Sequence, residues 1–146
     1  MPRILILYYS ASGNTRKMAE AVAEGIRAVG GVEVDVKYYV NVEDLAGYDA
    51  IIVGAPTYNH NMPLEISMVF REASARNVDL KGKIGAAFGS YGWSGEAPNL
   101  VLEIMERKFE MQVIRPPLLV RYAPGPADLE KCKALGMEIA NRALSK

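Results

Sequence analysis

Apolar residues follow two patterns along the chain, which together predict alternating strands and helices. Runs with few polar residues, typical of strands buried on both faces, span Ile4–Tyr9, Ala50–Val53 and Lys83–Phe88. Val32–Tyr38 alternates apolar and polar residues, which predicts a half-exposed strand, and a fifth predicted strand, Gln112–Tyr122, is interrupted by prolines. Apolar residues three or four positions apart predict four helices between and after these strands. These helical positions are Met18, Val22, Ile26 and Val29; Ile66, Val69, Phe70 and Ala73; Val101, Ile104 and Met105; and Leu129, Cys132, Leu135 and Ile139.

Glycines and prolines mark the expected ends of these elements. Gly30–Gly31 ends the first helix, and Pro63 suits the first position of the second. Val42–Gly47 reads as a linker with a short turn of helix, and Pro124–Pro126 precedes the last helix. The chain of 146 residues is therefore expected to form a single domain, residues 1–146.

Strands that alternate with helices predict an α/β fold, a doubly wound parallel sheet with helices on both faces. Strands one, three and four read as buried, whereas the alternating second strand and the proline-containing fifth suit the edges. The predicted order of the five strands is therefore 2-1-3-4-5. In such a sheet, ligands bind beyond the carboxyl ends of the strands, near the switch point between strands one and three. Three unusual loops follow strands one, three and four. They are Ser10–Thr15, Pro56–Asn61 and Ser90–Glu96, and they should converge on one crevice.

The first loop consists of small residues, rich in hydroxyls, directly before a predicted helix. The first amides of a helix have no internal partner and carry the positive end of its dipole, so small residues there let a phosphate approach. Ser10, Ser12, Asn14 and Thr15 add side-chain donors, which favours a phosphate cradle. An ordinary capped turn is an equally good explanation, because the same residue types cap helices.

The second and third loops carry aromatic residues beside glycine and polar side chains. Tyr58 and His60 lie in the second loop, and Tyr91 and Trp93 lie in the third. Aromatic rings stack on planar ligands. A phosphate cradle beside such loops suits a flat ring attached to a phosphate.

Three sequence motifs are similar to those of a known family. Ser10–Thr15, SASGNT, resembles the (S/T)-x-(S/T)-G-(N/x)-T phosphate loop of flavodoxins. Gly54–Asn59, GAPTYN, and Phe88–Glu96, FGSYGWSGE, look more specifically like the flavodoxin module of flavo-diiron (A-type) flavoproteins. The resemblance covers essentially the whole chain and implies a flavodoxin-like fold with FMN as cofactor.

The resemblance also implies which residues bind the cofactor, and none of them is expected to be catalytic in its own right. The phosphate would be held by Ser10, Ala11, Ser12, Gly13, Asn14 and Thr15. The ribityl chain and one side of the ring would be bordered by Pro56, Thr57, Tyr58, Asn59 and His60. The other side of the ring would be bordered by Ser90, Tyr91, Gly92, Trp93 and Gly95.

Some of these residues have a second interpretation. Trp93 is either a ring-stacking residue or a core aromatic, and His60 either contacts the flavin or is an ordinary surface residue. Asn59 and Asn61 are expected to supply backbone angles that other flavodoxins obtain from glycine, with a peptide flip on flavin reduction as a hypothesis. Cys132 lies on the apolar face of the last helix and is expected to be a core residue.

Composition and charge exclude several kinds of protein. Lys plus Arg equals Asp plus Glu at 17 each, so no global charge indicates a nucleic-acid or membrane partner. One Cys and one His are too few for a metal site rich in these ligands, and a diiron centre needs several His ligands. No apolar run reaches the roughly 20 residues that span a bilayer. The N-terminus lacks the shape of a signal peptide, so the expected compartment is the cytoplasm.

The first functional hypothesis is an FMN-binding carrier that shuttles one or two electrons between a reductase and an acceptor protein. The alternative is an FMN-dependent NAD(P)H:quinone or iron reductase that uses the same crevice. A third hypothesis is an interaction module that has lost FMN. The sequence does not decide whether the protein is a monomer or a homodimer.

Overall fold

The computed structural model describes residues 1–146 and contains one parallel sheet with helices on both faces. The strands are β1 Arg3–Tyr8, β2 Glu33–Lys37, β3 Ala50–Gly54, β4 Ile84–Tyr91, β5 Gln112–Val113 and β6 Leu118–Arg121. The helices are α1 Asn14–Val29, α2 Leu64–Ala75, α3 Ala97–Phe109 and α4 Pro126–Ser145, with a 3₁₀ helix at Val42–Gly47. The strands run in the order β2-β1-β3-β4-β5, and β6 also pairs with β4. The predicted fold class and strand order are confirmed.

The predicted fifth strand, Gln112–Tyr122, is in fact two short strands. β5 pairs with the start of β4 and β6 pairs with its end, both in parallel. Pro116 and Pro117 lie between them. Proline has no N–H to donate to a neighbouring strand, so pairing with β4 stops there and resumes at Leu118.

Some predicted boundaries between strand, loop and helix are wrong by one to three residues. β4 ends at Tyr91 rather than Phe88, because Ser90 and Tyr91 pair with β6. α1 already begins at Asn14, so the first loop is shorter than Ser10–Thr15. Pro63 precedes the first helical residue of α2 rather than occupying it.

Each face of the sheet has its own apolar core. α2 and α3 cover one face, and α1 and α4 cover the other. α1 and α4 approach so closely that a Cβ on Gly25 would lie 2.0 Å from the Lys133 carbonyl oxygen, and one on Gly136 would lie 2.1 Å from the Val22 oxygen. The two glycines therefore make this contact between helix backbones sterically feasible. None of the helices combines the length and apolar character needed to span a membrane.

Cys132 of α4 is fully buried in the core between α1, α4 and the sheet. Burial raises the pKa of its thiol to about 11. At pH 8 only about one thiol in a thousand is then ionised. We expect a thiol reagent such as DTNB to leave the folded protein unlabelled and to label one thiol per chain once urea unfolds it. Rapid labelling of the native protein would instead show that α4 opens locally.

Candidate functional site

The three loops predicted to form a site meet at the carboxyl edge of β1, β3 and β4. The hydroxyls of Thr15, at the start of α1, and Ser90, at the end of β4, lie 3.0 Å apart. The amide of Ala97, which starts α3, donates to Thr57 Oγ1 at 3.0 Å. The Tyr9 and Tyr58 rings meet edge to face with their centroids 6.2 Å apart. The predicted convergence on one crevice is therefore present.

The first loop turns into α1 through Gly13, which has a left-handed φ of 89°. Ser10 Oγ accepts hydrogen bonds from the amides of Gly13, at 3.0 Å, and Arg16, at 3.3 Å. Ser10 thus closes the turn, as the capped-turn interpretation expects. The amides of Ser12, Asn14 and Thr15 have no hydrogen-bond partner in the protein. The loop is therefore both a closed turn and a set of free donors at a helix N-terminus.

The side chains of this loop divide into buried and exposed groups. Thr15 is buried, and its hydroxyl contacts Ser90 rather than facing solvent. Ser12 is exposed and Asn14 is partly exposed, and both line the same cavity. Of the hydroxyls predicted to donate to a phosphate, that of Ser12 is the most accessible.

Two cavities flank the first loop, and Ser12 borders both. A smaller one of about 220 Å³ lies between the three loops. Its lining consists of Ser12, Asn14, Pro56, Thr57, Tyr58, Ser90, Tyr91, Gly92 and Tyr122. A larger one of about 530 Å³ lies between the ends of β1 and β2. Its lining consists of Tyr8, Tyr9, Ser10, Ala11, Ser12, Gly13, Arg16, Tyr38 and Glu65.

Two exposed tyrosines at these cavities were not predicted. Tyr122 follows β6 and donates its amide to the Tyr91 carbonyl oxygen at 2.7 Å. Tyr38 follows β2. Both come directly after the carboxyl end of a strand, and that position is the sequence signal that could have found them.

The second loop forms a tight turn from Tyr58 to Asn61. The amide of each of these two residues donates to the carbonyl of the other, at 2.9 and 3.0 Å. The central residues have positive φ, 49° at Asn59 and 62° at His60. Two such residues in succession make a type I′ turn, which is usually built with glycine. The prediction is confirmed for Asn59 and wrong for Asn61, because His60 adopts the second left-handed conformation.

A polar cluster ties this turn to the third loop. His60 Nδ1 lies 2.6 Å from Glu96 Oε2 and 3.1 Å from Ser94 Oγ. Hydrogen bonds from Ser94 and His60 lower the pKa of the Glu96 carboxyl. The Trp93 ring is 87% exposed, with its centroid 5.7 Å from that of His60. Trp93 is therefore a surface residue beside the crevice, and its interpretation as a core aromatic is wrong.

We expect Glu96→Gln to weaken the fold at neutral pH and to make no difference in strong acid. Because the pKa of Glu96 is lowered in the folded state, its ionised form stabilises the protein above the ordinary carboxyl range, and this stabilisation is lost as pH falls through the lowered pKa. Urea unfolding from pH 7 to pH 3 measures this. Glu103→Gln, which removes a carboxylate without an ion pair, is the control. A stability difference that persists unchanged at pH 3 would contradict the assignment.

A comparison with known proteins identifies the family to which this chain belongs. A sequence model of the flavodoxin family matches residues 6–136, which is most of the chain. The chain belongs to the flavodoxin family. It is a flavodoxin-like redox protein, and the cofactor of this family is FMN, as predicted.

Both stand-alone flavodoxins and larger flavoproteins are similar to this chain. A flavodoxin from the domain Archaea is 43% identical, with a TM-score of 0.89 over 97% of this chain and 99% of that one. The Type A flavoprotein fprA of Rhodobacter capsulatus is 34% identical over 94% of this chain and 32% of its own length. The Flv1 flavodiiron core from Synechocystis is 28% identical, with a TM-score of 0.85 over 99% of this chain and 36% of that one. The chain spans between about a quarter and just over a third of the length of the curated relatives it matches. No group of three or more His, Cys, Asp or Glu side chains in it is placed to hold a metal ion.

Proposed function

We propose that residues 1–146 form one FMN-binding domain that carries electrons between a reductase and an acceptor protein. The observation that carries the proposal is the set of free amides at Ser12, Asn14 and Thr15, beside a crevice lined with aromatic residues. Membership of the flavodoxin family supports a role alongside redox partner proteins.

The residues at the start of α1 suit the phosphate of FMN. Unpaired amides at a helix N-terminus, together with the positive end of its dipole, form an anion site. The side chains of Ser12 and Asn14 add donors at the same cavity. Ser10 orients the loop by accepting from the amides of Gly13 and Arg16. In this proposal the phosphate is held by the backbone of Ser10–Thr15, and Ser12 contributes its exposed hydroxyl.

The residues of the second and third loops suit the ring and the ribityl chain. Pro56 and Thr57 line the crevice from β3, and Gly92 lines it from the end of β4. Tyr58 and Tyr122 line the crevice and are partly exposed, and the exposed ring of Trp93 follows Gly92 in the third loop, next to His60. Aromatic side chains in these positions stack on a planar ring and exclude water from its faces. The His60–Glu96 contact holds the two loops together.

The redox chemistry itself belongs to the cofactor, since bound FMN accepts and releases one or two electrons. The chain binds and orients the ring and sets its electrostatic surroundings. The proposal needs no residue that transfers a proton.

Titration of the apoprotein with FMN tests the proposal. Trp93 is the only tryptophan, so its fluorescence reports on the rim of the crevice alone. We expect quenching that saturates at one FMN per chain. If saturating FMN neither binds nor quenches, the proposal is wrong and an interaction module becomes the better explanation.

A steady-state assay separates a carrier from a reductase. We expect the holoprotein to oxidise NAD(P)H negligibly with a quinone alone, and to exchange electrons with partner proteins. Sustained turnover with NAD(P)H and quinone would favour the reductase. Sedimentation of the same sample decides between a monomer and a homodimer.

A further inference from the structure

A groove of about 580 Å³ runs between α2 and α3, outside the crevice described above. Its floor is apolar, with Met62 and Phe70 almost fully buried and Leu100 and Ile104 partly buried. One end of the groove is lined by Asn61, the last residue of the Tyr58–Asn61 turn. A molecule seated in the groove would therefore reach the rim of the proposed flavin site.

The rim of this groove carries positive charge that the protein itself leaves unpaired. Arg71 of α2 and Arg107 and Lys108 of α3 line the groove. None of the three forms an ion pair or a side-chain hydrogen bond. By contrast, Arg76, directly after α2, forms two ion pairs. Glu103 is the one carboxylate that lines the groove, so the three cations are in excess.

The local excess of positive charge stands out because the whole chain is neutral, with a formal net charge of zero. Cations held beside an apolar surface attract a carboxylate partner over a distance of about a Debye length, roughly 10 Å at 0.1 M salt. The attraction is therefore directed at one place on the surface rather than at the protein as a whole.

Two exposed apolar side chains of α2 continue the apolar surface outside the groove. Leu64 is 64% exposed and Met68 is 55% exposed. Positions 64, 68 and 71 of a helix lie on one side of it, so these side chains share a ridge with Arg71. An apolar centre with charged residues at its edge is the usual composition of a protein interface.

We propose that the groove between α2 and α3 docks an acidic, amphipathic segment of the redox protein that exchanges electrons with the flavin. The apolar side of that segment covers Phe70, Leu100 and Ile104, and its carboxylates pair with Arg71, Arg107 and Lys108. This inference rests on the proposed function and names the chemistry of the partner for the same site.

Charge reversal on the groove tests the inference with the intact holoprotein. The groove variant is Arg71→Glu/Arg107→Glu. The matched control is Arg27→Glu/Lys131→Glu, which changes the net charge equally by reversing two exposed cations without ion pairs on α1 and α4, across the sheet. The probe is a reduced, acidic [2Fe–2S] ferredoxin, and the second-order rate of flavin reduction is followed by stopped flow. Oxidation of the reduced flavin by neutral benzoquinone checks that each variant retains a reactive cofactor.

We expect the groove variant to be reduced by the acidic protein about tenfold more slowly at low ionic strength, and the control variant to change by less than about twofold. The difference should shrink at high salt. With basic cytochrome c as the acceptor, the groove variant should not be slowed. Equal rates for the groove and control variants, or a wild-type rate with ferredoxin that does not depend on salt, would overturn the inference. A failure of the proposed function is distinguishable, because the wild-type protein would then bind no FMN and show no flavin signal.

Discussion

Gly136→Ala is expected to lower the free energy of unfolding by about 3 kcal/mol. A Cβ at this position would lie 2.1 Å from the Val22 carbonyl oxygen and 3.0 Å from the Ile26 amide nitrogen. Both are backbone atoms of α1, so α1 and α4 must move apart. Alanine favours a helix over glycine by about 1 kcal/mol, which the steric cost exceeds. For a chain of this size the melting temperature should fall by roughly 6 to 12 °C.

Urea unfolding and a thermal melt of the apoprotein measure the effect. Met137→Ala changes the neighbouring residue on the exposed side of the same helix and serves as the control, with a change expected within about 0.5 kcal/mol. Gly25→Ala, whose Cβ would lie 2.0 Å from the Lys133 carbonyl oxygen, should repeat the loss. If both glycine variants were as stable as the wild type, the close approach of the two helices would be wrong.

Ser12→Asp is expected to weaken FMN binding by at least about thirtyfold, because it places a carboxylate where the proposal puts the phosphate. Ser12 is exposed and borders both cavities at the first loop, so the substitution should leave the fold intact. Fluorescence titration with FMN at low and high salt measures the loss, which should shrink as salt screens the repulsion. Ser12→Ala removes only the hydroxyl and should cost about tenfold at most.

Riboflavin provides a control within the same experiment, since it carries the ring and ribityl chain without the phosphate. We expect Ser12→Asp to leave riboflavin binding nearly unchanged. A variant that loses affinity for both compounds equally would show that Ser12 does not lie at the phosphate, or that the loop has been deformed.

The strand order was predictable because the pattern of apolar and polar residues within each strand shows how many of its faces are exposed to solvent. β2 alternates apolar and polar residues, as an edge strand with one wetted face does, whereas Ala50–Val53 is apolar throughout. The position of the crevice was predictable as well, because parallel strands bring the loops at their carboxyl ends together. Local pattern was sufficient for both.

Contacts between residues far apart in sequence were not predictable in this way. Gly25 and Gly136 lie inside two helical patterns and have no local signal, because each is needed only where the other helix passes. The contact of His60 with Glu96 likewise depends on how two loops fold toward each other. Tyr122 was missed because the predicted site drew only on the loops after strands one, three and four, whereas the pairing of β6 with the end of β4 brings Tyr122 to the crevice.

The division of the last strand has a consequence for self-association. A continuous edge strand offers a row of unpaired donors and acceptors on which another chain can extend the sheet. Here that edge consists of the two short strands β5 and β6, separated by Pro116–Pro117, which lack amide protons. The opposite edge, β2, carries Glu33, Asp35 and Lys37. Both edges of the sheet therefore discourage the addition of a strand from another chain.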